Sequence, residues 1–313
     1  MPWEHYRLLL RLESPLHVGF RKVGNLMQTR RYVPARTLWG ALVASLTRSL
    51  CPPPLQRQHF EAFEKFVNDH LRIGYLWPTA PCHPKGLPEE VLLFPWDDPE
   101  LFDYLFLDAY ASTSVDPLGA TTEEGSLHQV EFIAPYTRGP VTVKCRKIPG
   151  GIPVYLMGDL WIRHPQDNKT AGPCSPPRDL VHTLQNLSLQ LGGERTYGWG
   201  RVRVGLLCEE GPCLGVSQKW TWTEEHNEIV VTPSNSNPVE APAHLLATPS
   251  SEGLQGPIEP LTAYRFQHDG FHLVSPEIAY RPGARVEPGA RFRIRPQDGL
   301  WEPVGSQAHP PGF

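Results

Sequence analysis

The sequence has six cysteines, Cys51, Cys82, Cys145, Cys174, Cys208 and Cys213, but no C-x-x-C pair. Structural zinc sites use such paired spacings. Cys82-His83 and Cys208/Cys213 are therefore poor zinc candidates, and plain, mostly buried thiols in a reducing cytoplasm are expected. No apolar run is long enough to span a membrane. The opening MPWEHYRLLLRLESP lacks a signal-peptide pattern, because its short apolar run is broken by Arg11 and Glu13. Adjacent acids such as Asp97-Asp98 and Glu123-Glu124 make weak acid–base pairs. At helix starts acids are caps, and on a strand neighbours point to opposite faces. No nucleophile, base and metal set converges, so neither an enzyme nor a cofactor is expected.

The 313 residues allow about two domains. The 35 prolines imply many loops and short helices. The net charge of −4 hides an alternation. Residues 1–48 hold 8 Lys/Arg against 2 Asp/Glu, and residues 138–204 hold 10 against 4, so each segment is +6. Residues 49–137 hold 4 against 14 (−10), and residues 205–313 hold 7 against 13 (−6). If the fold joins the two basic segments, the molecule has one positive face on an acidic body. Such a distribution says more about nucleic-acid binding than the total does.

YRLLLRL (6–12) alternates as a strand, and SPLHVGFRKVGNLMQTRR follows it as a basic loop. A helix follows Pro34, with Leu38, Ala41, Leu42, Ser45 and Leu46 on its apolar and small face, and CPPP (51–54) stops it. Phe60, Phe63, Val67 and Leu71 predict a second helix over 58–72, and DDPELFDYLFLDAY starts a third. Residues 127–134, 140–148 and 153–163 read as strands, 178–190 as a helix and 200–208 as a strand. Beyond 210 the pattern is mostly β, with KWTWTEEHNEIVVT as a hairpin on a four-residue turn and 233–262 as a long loop. The order is that of a split βαβ, ferredoxin-like α+β unit. It spans 1–209 with an insertion at about 51–125, followed by a smaller β-rich region over 210–313.

Between the helix and the last strand of that unit lies LGGERTYGWGRVRV (191–204). Gly192, Gly193, Gly198 and Gly200 exclude regular structure there. The run reads either as a glycine C-cap and turn or as a loop whose bare N–H groups cradle phosphates. It lacks the Gly-Lys-Ser/Thr ending of a P-loop and does not follow a strand, which excludes the nucleotide and dinucleotide fingerprints. Arg195, Tyr197, Trp199 and Arg201 between the glycines suit a phosphate chain with splayed bases. In a split βαβ unit Arg21, Lys22, Arg30 and Arg31 come near this loop.

ESPLHVGFRKVGN followed by RRYVPARTLWGALVASL resembles the N-terminal signature of the RAMP superfamily of CRISPR-associated proteins. LGGERTYGWGRVRV resembles that superfamily's glycine-rich loop. TEEGSLHQVEFI (122–133) and VEPGARFRI (286–294) are similar to segments of one branch, the type III effector subunits that grip the 5′ tag of the CRISPR RNA. Residues 51–110 and 210–262 add little to the resemblance. One departure is Ala35-Arg36 where the family often has Gly-Ser. Arg36 puts a cation against the helix dipole, which a nearby phosphate would explain, as would simple exposure.

The resemblance implies a ferredoxin-like (RRM-like) RAMP domain. It also implies partners: the CRISPR RNA, the large subunit, which this chain would help anchor, the backbone subunits and, indirectly, target RNA. A processing nuclease of this family uses a histidine soon after the first strand, yet residues 18–58 contain none and His17 fits the PLHVG loop as a structural residue. A backbone subunit that cuts target RNA needs an aspartate in the loop after the first strand, and VGFRKVGNLMQTRRYV has none. The remaining expectation is a non-catalytic tag-binding subunit, with a backbone subunit or processing nuclease as alternatives. Its RNA-binding residues would be Arg21, Lys22, Arg30, Arg31, Arg36 and the loop Gly192, Gly193, Arg195, Tyr197, Gly198, Trp199, Gly200 and Arg201. Tyr197 and Trp199 either stack on bases or pack in the core.

Overall fold

The computed structural model describes residues 2–82, 91–116, 121–122, 126–143, 146–165, 174–177, 179–209, 211, 213–248, 253–267 and 270–304. His83, Glu123, Glu124 and Cys145 lie outside the described residues. The chain begins β1 (Glu4–Leu12), β2 (Gly19–Val23), β3 (Leu26–Thr29), α1 (Ala35–Leu50), α2 (Arg57–His70), β4 (Leu71–Ile73), β5 (Trp77–Thr79) and α3 (Pro99–Phe106). Next come β6 (Leu107–Ser112), β7 (Val115–Asp116), β8 (Thr121–Thr122), β9 (His128–Ile133), β10 (Val141–Val143) and β11 (Arg146–Ile148). β12 (Tyr155–Ile162), α4 (Leu180–Gln185), β13 (Ser188–Gln190) and β14 (Arg201–Glu209) follow. The remainder is β15 (Trp220–Glu225), β16 (Glu228–Pro233), β17 (Val239–Glu240), β18 (Leu245–Leu246), β19 (Leu254–Gln255), β20 (Ile258–Gln267), β21 (Gly270–Tyr280), β22 (Arg285–Val286), β23 (Phe292–Ile294) and β24 (Trp301–Pro303). The fold is mixed α+β, mostly strands.

The N-terminal sheet runs β13-β14-β1-β12-β4, with β5 also on β12, and all its pairs are antiparallel. β1 is central, which is why Leu9 is buried along with Tyr6, Leu8, Leu10 and Leu12. Strict alternation would instead put Leu9 on the side of Arg7 and Arg11. α1 buries Leu38, Ala41, Leu42 and Leu46, positions three and four apart on one side of the helix. α3 starts where Asp98 accepts the Leu101 N–H at 3.0 Å, and Asp97 accepts the Phe94 N–H at 3.2 Å, so this acid pair caps and turns the chain. A second sheet, β2-β3-β9-β6, contains one parallel pair, β3 with β9. The C-terminal strands form a seven-stranded sheet, β15-β16-β23-β24-β18-β21-β20, and a three-stranded one, β17-β22-β19.

Several expectations are corrected. The helix expected over 178–190 ends at Gln185, and Ser188–Gln190 pairs with β14 instead. Leu187, Leu189 and Leu191 fit a period of two as well as Leu180 and Leu184 fit a helix, and pairing at the sheet edge decided between them. α2 stops at His70 because Leu71–Ile73 pairs with Leu160–Ile162. The 15/16 hairpin turns on two residues, not four: His226 and Asn227, at φ 51° and 66°. The stretch 233–262 is not one long loop, since β17, β18, β19 and the start of β20 pair with other strands there. Cys51 and Cys174 are joined as a disulfide, whereas free thiols were expected; Cys82 and Cys213 are free.

One apolar cluster runs from Trp3 through Trp77 and Trp161 to Trp220 and Trp301. Polar contacts follow it across residue 209: Trp77 Nε1 donates to Pro242 O at 3.0 Å, and Trp3 Nε1 to Asn227 O at 3.0 Å. No helix among the described residues is long and apolar enough to cross a membrane.

Candidate nucleic-acid interface

The glycine loop is bound to the segment after β1. The Gly193 N–H donates to His17 O at 2.8 Å and the Gly200 N–H to Pro15 O at 2.7 Å. Gly192 and Gly200 have φ of +72° and +78°, and a Cβ on either would lie 2.2 Å from His17 O or 1.9 Å from Leu191 O. Between them Arg195–Tyr197 forms one 3₁₀ turn that ends with the Gly198 N–H on Arg195 O at 3.0 Å. The N–H groups of Gly193, Gly198 and Gly200 are therefore used within the chain. The cradle of bare N–H groups expected at these three glycines is corrected: two of the four glycines serve close approach of the chain to itself. Gly198 differs, with φ +79° and nothing within 4 Å of its missing Cβ.

The loop's side chains divide between two cavities. Arg195 and Arg201 are exposed and line a groove of about 360 Å³ with Arg48, Ser45 and Ser49 of α1 and Ser188 of β13. The Arg195 Nε donates to Gly192 O at 2.9 Å, which holds its guanidinium beside the loop. Gln190 supports the turn by donating to Arg195 O at 3.1 Å and Trp199 O at 2.9 Å. Arg48 was not anticipated. The signal was present, since Ala41, Ser45 and Arg48 recur along one side of α1 and small residues there leave room for a ligand.

Tyr197 and Trp199 line the other cavity, also about 360 Å³, with Tyr110, His128, Phe132 and Glu194. Trp199 is half-buried, edge-on to Phe132 at 5.1 Å and to Tyr110 at 6.5 Å between ring centres. Tyr197 is 77% exposed and Tyr110 is 56% exposed. Tyr197 is thus not a core residue. Tyr110 and Phe132 were missed, because only the β6–β9 pairing, which sets Tyr110 opposite Val130 and Phe132 opposite Asp108, makes them diagonal neighbours.

The N-terminal cations lie elsewhere. Arg21, Arg30 and Arg31 line a third cavity of about 270 Å³ with Phe20, Trp96, Glu259 and Arg281. The guanidinium groups of Arg21, Arg30 and Arg281 sit over the Phe20 ring at 5.4, 5.0 and 5.5 Å. Arg30 pairs with Glu259 at 2.7 Å and donates to Tyr32 Oη at 2.8 Å, and Arg31 is bidentate on Asp103. Lys22 is exposed on β2, and Arg36 is half-buried in the first turn of α1, outside all three cavities. The single basic face expected from the charge pattern is therefore divided: of the three cavities, the groove of Arg48, Arg195 and Arg201 joins cations of both segments, while Arg21, Arg30 and Arg31 line a separate one.

Behind the third cavity is a buried polar network. His244 Nε2 contacts Glu259 Oε1 at 2.7 Å and its Nδ1 contacts the Tyr75 hydroxyl at 2.8 Å. Arg281 stands 3.0 Å from the other Glu259 oxygen. Burial works to raise the Glu259 carboxyl, but the His244 bond and the Arg30 charge outweigh it and hold it at about 2. Burial likewise pushes the Tyr32 and Tyr75 hydroxyls up and the His244 imidazole down.

Both histidines near β1 are buried and hydrogen-bonded. His5 is 1% exposed, with its ring nitrogens 2.8 Å from Asp159 Oδ1 and 3.0 Å from Gly211 O. His17 is buried, with Nδ1 2.7 Å from Glu131 O.

No family model and no curated protein matches this sequence. Among solved structures the chain is similar to a chain of the type III-B Cmr-beta complex bound to cognate target RNA and AMPPnP. That match has 12% identity and a TM-score of 0.44, covering 90% of this chain and 85% of the other. A chain of the same complex bound to cognate target RNA gives 11% and 0.46, over 90% and 86%. The apo complex gives 10% and 0.36, over 68% and 99%. At these values the likeness carries no argument about this chain's function, which rests on its own residues.

Proposed function

We propose that this chain is a non-catalytic RNA-binding subunit of a type III CRISPR effector complex, holding the 5′ tag of the CRISPR RNA at its glycine loop. The observation that carries the reading is that the loop lies between two cavities of different chemistry. Arg48, Arg195 and Arg201 with three serine hydroxyls suit phosphates. Tyr110, Phe132, Tyr197 and Trp199 offer faces and edges to an unpaired base. The motif resemblance supports the choice of branch. The strand order β14-β1-β12-β4/β5, with α1 and α4 as crossovers, supports a ferredoxin-like unit, since it is the 4-1-3-2 order of the split βαβ. The buried, hydrogen-bonded state of His5 and His17 supports a binding role over cleavage.

The test is titration of tag-bearing RNA against the protein over a range of salt. Arg48→Ala, Arg195→Ala and Arg201→Ala should each weaken binding and flatten the salt slope by about 0.7 per lost phosphate contact. Tyr197→Ala should weaken binding by about 1–3 kcal/mol with the slope unchanged. If the triple arginine variant is folded and keeps both affinity and slope, the proposal is wrong.

A further inference from the structure

Three chain segments meet at the end of α1. The helix stops at Cys51, whose N–H returns to Thr47 O, and the prolines at 52–54 prevent its continuation. His59 occupies the third position of α2, where its Nδ1 accepts the Gln56 N–H at 3.2 Å. Cys174 arrives from far along the chain, its N–H donating to Leu50 O at 3.2 Å. One ligand atom from each of Cys51, His59 and Cys174 lies within 4.8 Å of the other two, with Cys51 buried and the others half-buried. The two sulfurs form a disulfide in this structure. A disulfide requires two sulfurs and gives an imidazole no part, yet a third donor converges on the pair from a separate helix. Two thiolates and an imidazole, without a carboxylate, make a donor set suited to zinc.

We propose that, with its cysteines reduced, the chain binds one Zn²⁺ through Cys51 Sγ, Cys174 Sγ and a ring nitrogen of His59, with water as fourth ligand. Binding releases the two thiol protons and changes no oxidation state. Coordination through Nε2 moves the ring proton to Nδ1, so the long cap contact with Gln56 is given up for the metal bond. The centre ties the end of α1 and the start of α2 to the segment before α4. It thereby fixes the last turn of α1, which carries Arg48 and Ser49 into the cationic groove. The paired spacing expected of zinc sites is absent because the ligands come from segments distant in sequence.

The test uses full-length protein purified with reductant and without chelator, with metal measured by mass spectrometry. One zinc per chain is expected, together with a thermal midpoint that falls on chelation and recovers with Zn²⁺ but not Mg²⁺. His59→Gln leaves a side chain that still serves a capping box, and it should weaken zinc binding at least tenfold. The C51S C174S double variant should lose the metal. If that variant does not fold, Co²⁺ titration of the reduced wild type decides: a sulfur-to-cobalt charge-transfer band is expected. Four results would each overturn the proposal: no zinc and no such band in the reduced wild type; undiminished zinc in C51S C174S; undiminished zinc affinity in H59Q; or a Cys51–Cys174 disulfide in protein alkylated before lysis.

Discussion

Glu259 is 5% exposed and contacts Arg30, His244 and Arg281, so one buried carboxylate is the shared partner of two guanidinium groups and an imidazole. Removing one partner of a buried pair leaves the other charge uncompensated. Glu259→Gln should therefore cost about 3–5 kcal/mol in denaturant unfolding. The pH dependence has a definite sign. The folded carboxyl sits at about 2 against an ordinary 4.5, so its stabilisation is fully present above 4.5 and is lost as pH falls through that window towards 2. His244, pushed below its ordinary 6.5, works in the same direction, because the unfolded chain takes up the proton first. Stability measured from pH 7 to 3 should fall in the wild type and fall less in Glu259→Gln. Equal slopes would show that the carboxyl is not held low.

At the scale of the element, the glycine loop has two kinds of glycine. Gly198 and Gly200 share φ near +79°, so any side chain at either meets the left-handed penalty of about 1–2 kcal/mol. Only Gly200 adds a collision, with Leu191 O at 1.9 Å, while Gly198 faces open space. Gly198→Ala should cost about 1–2 kcal/mol and leave the fold intact. Gly200→Ala should cost more than about 4 kcal/mol or prevent folding. Comparable unfolding midpoints for the two variants would contradict the loop geometry. The hairpin of β2 and β3 makes a parallel contrast. Arg30 is committed to Glu259, so Arg30→Ala should lower stability first, whereas the exposed Lys22 should tolerate replacement within about 0.5 kcal/mol.

Across the whole molecule the apolar cluster and the polar contacts continue past residue 209. A chain cut there loses Pro242 O and His244. The Trp77 indole and the Tyr75 hydroxyl, both buried, would then be unpaired. Gly299 also packs so closely that a Cβ would lie 2.4 Å from Ala35 Cβ and Ile73 O. The full chain should melt in one calorimetric transition, and residues 1–209 alone should show no cooperative melting. Two separated transitions in the full chain would mean that the halves fold independently.

Local chemistry decided much of this protein within the sequence. β1, α1 with its proline stop, the Asp98 cap of α3 and the glycine loop were all legible, because periodicity, caps and backbone freedom act over a few residues. The spacing could not decide between helix and strand at Leu187–Leu191, where both periods fit and the partner strand chose. Nor could it divide the basic residues. Charge counts place Arg30 and Arg195 in similar segments, but only packing commits Arg30 to Glu259 and leaves Arg195 on an open groove. The aromatic cavity around Trp199, the His244–Glu259 network and the meeting of Cys51, His59 and Cys174 join residues far apart in the chain. Such contacts form where chain closure brings distant segments together, and sequence spacing carries no trace of that closure.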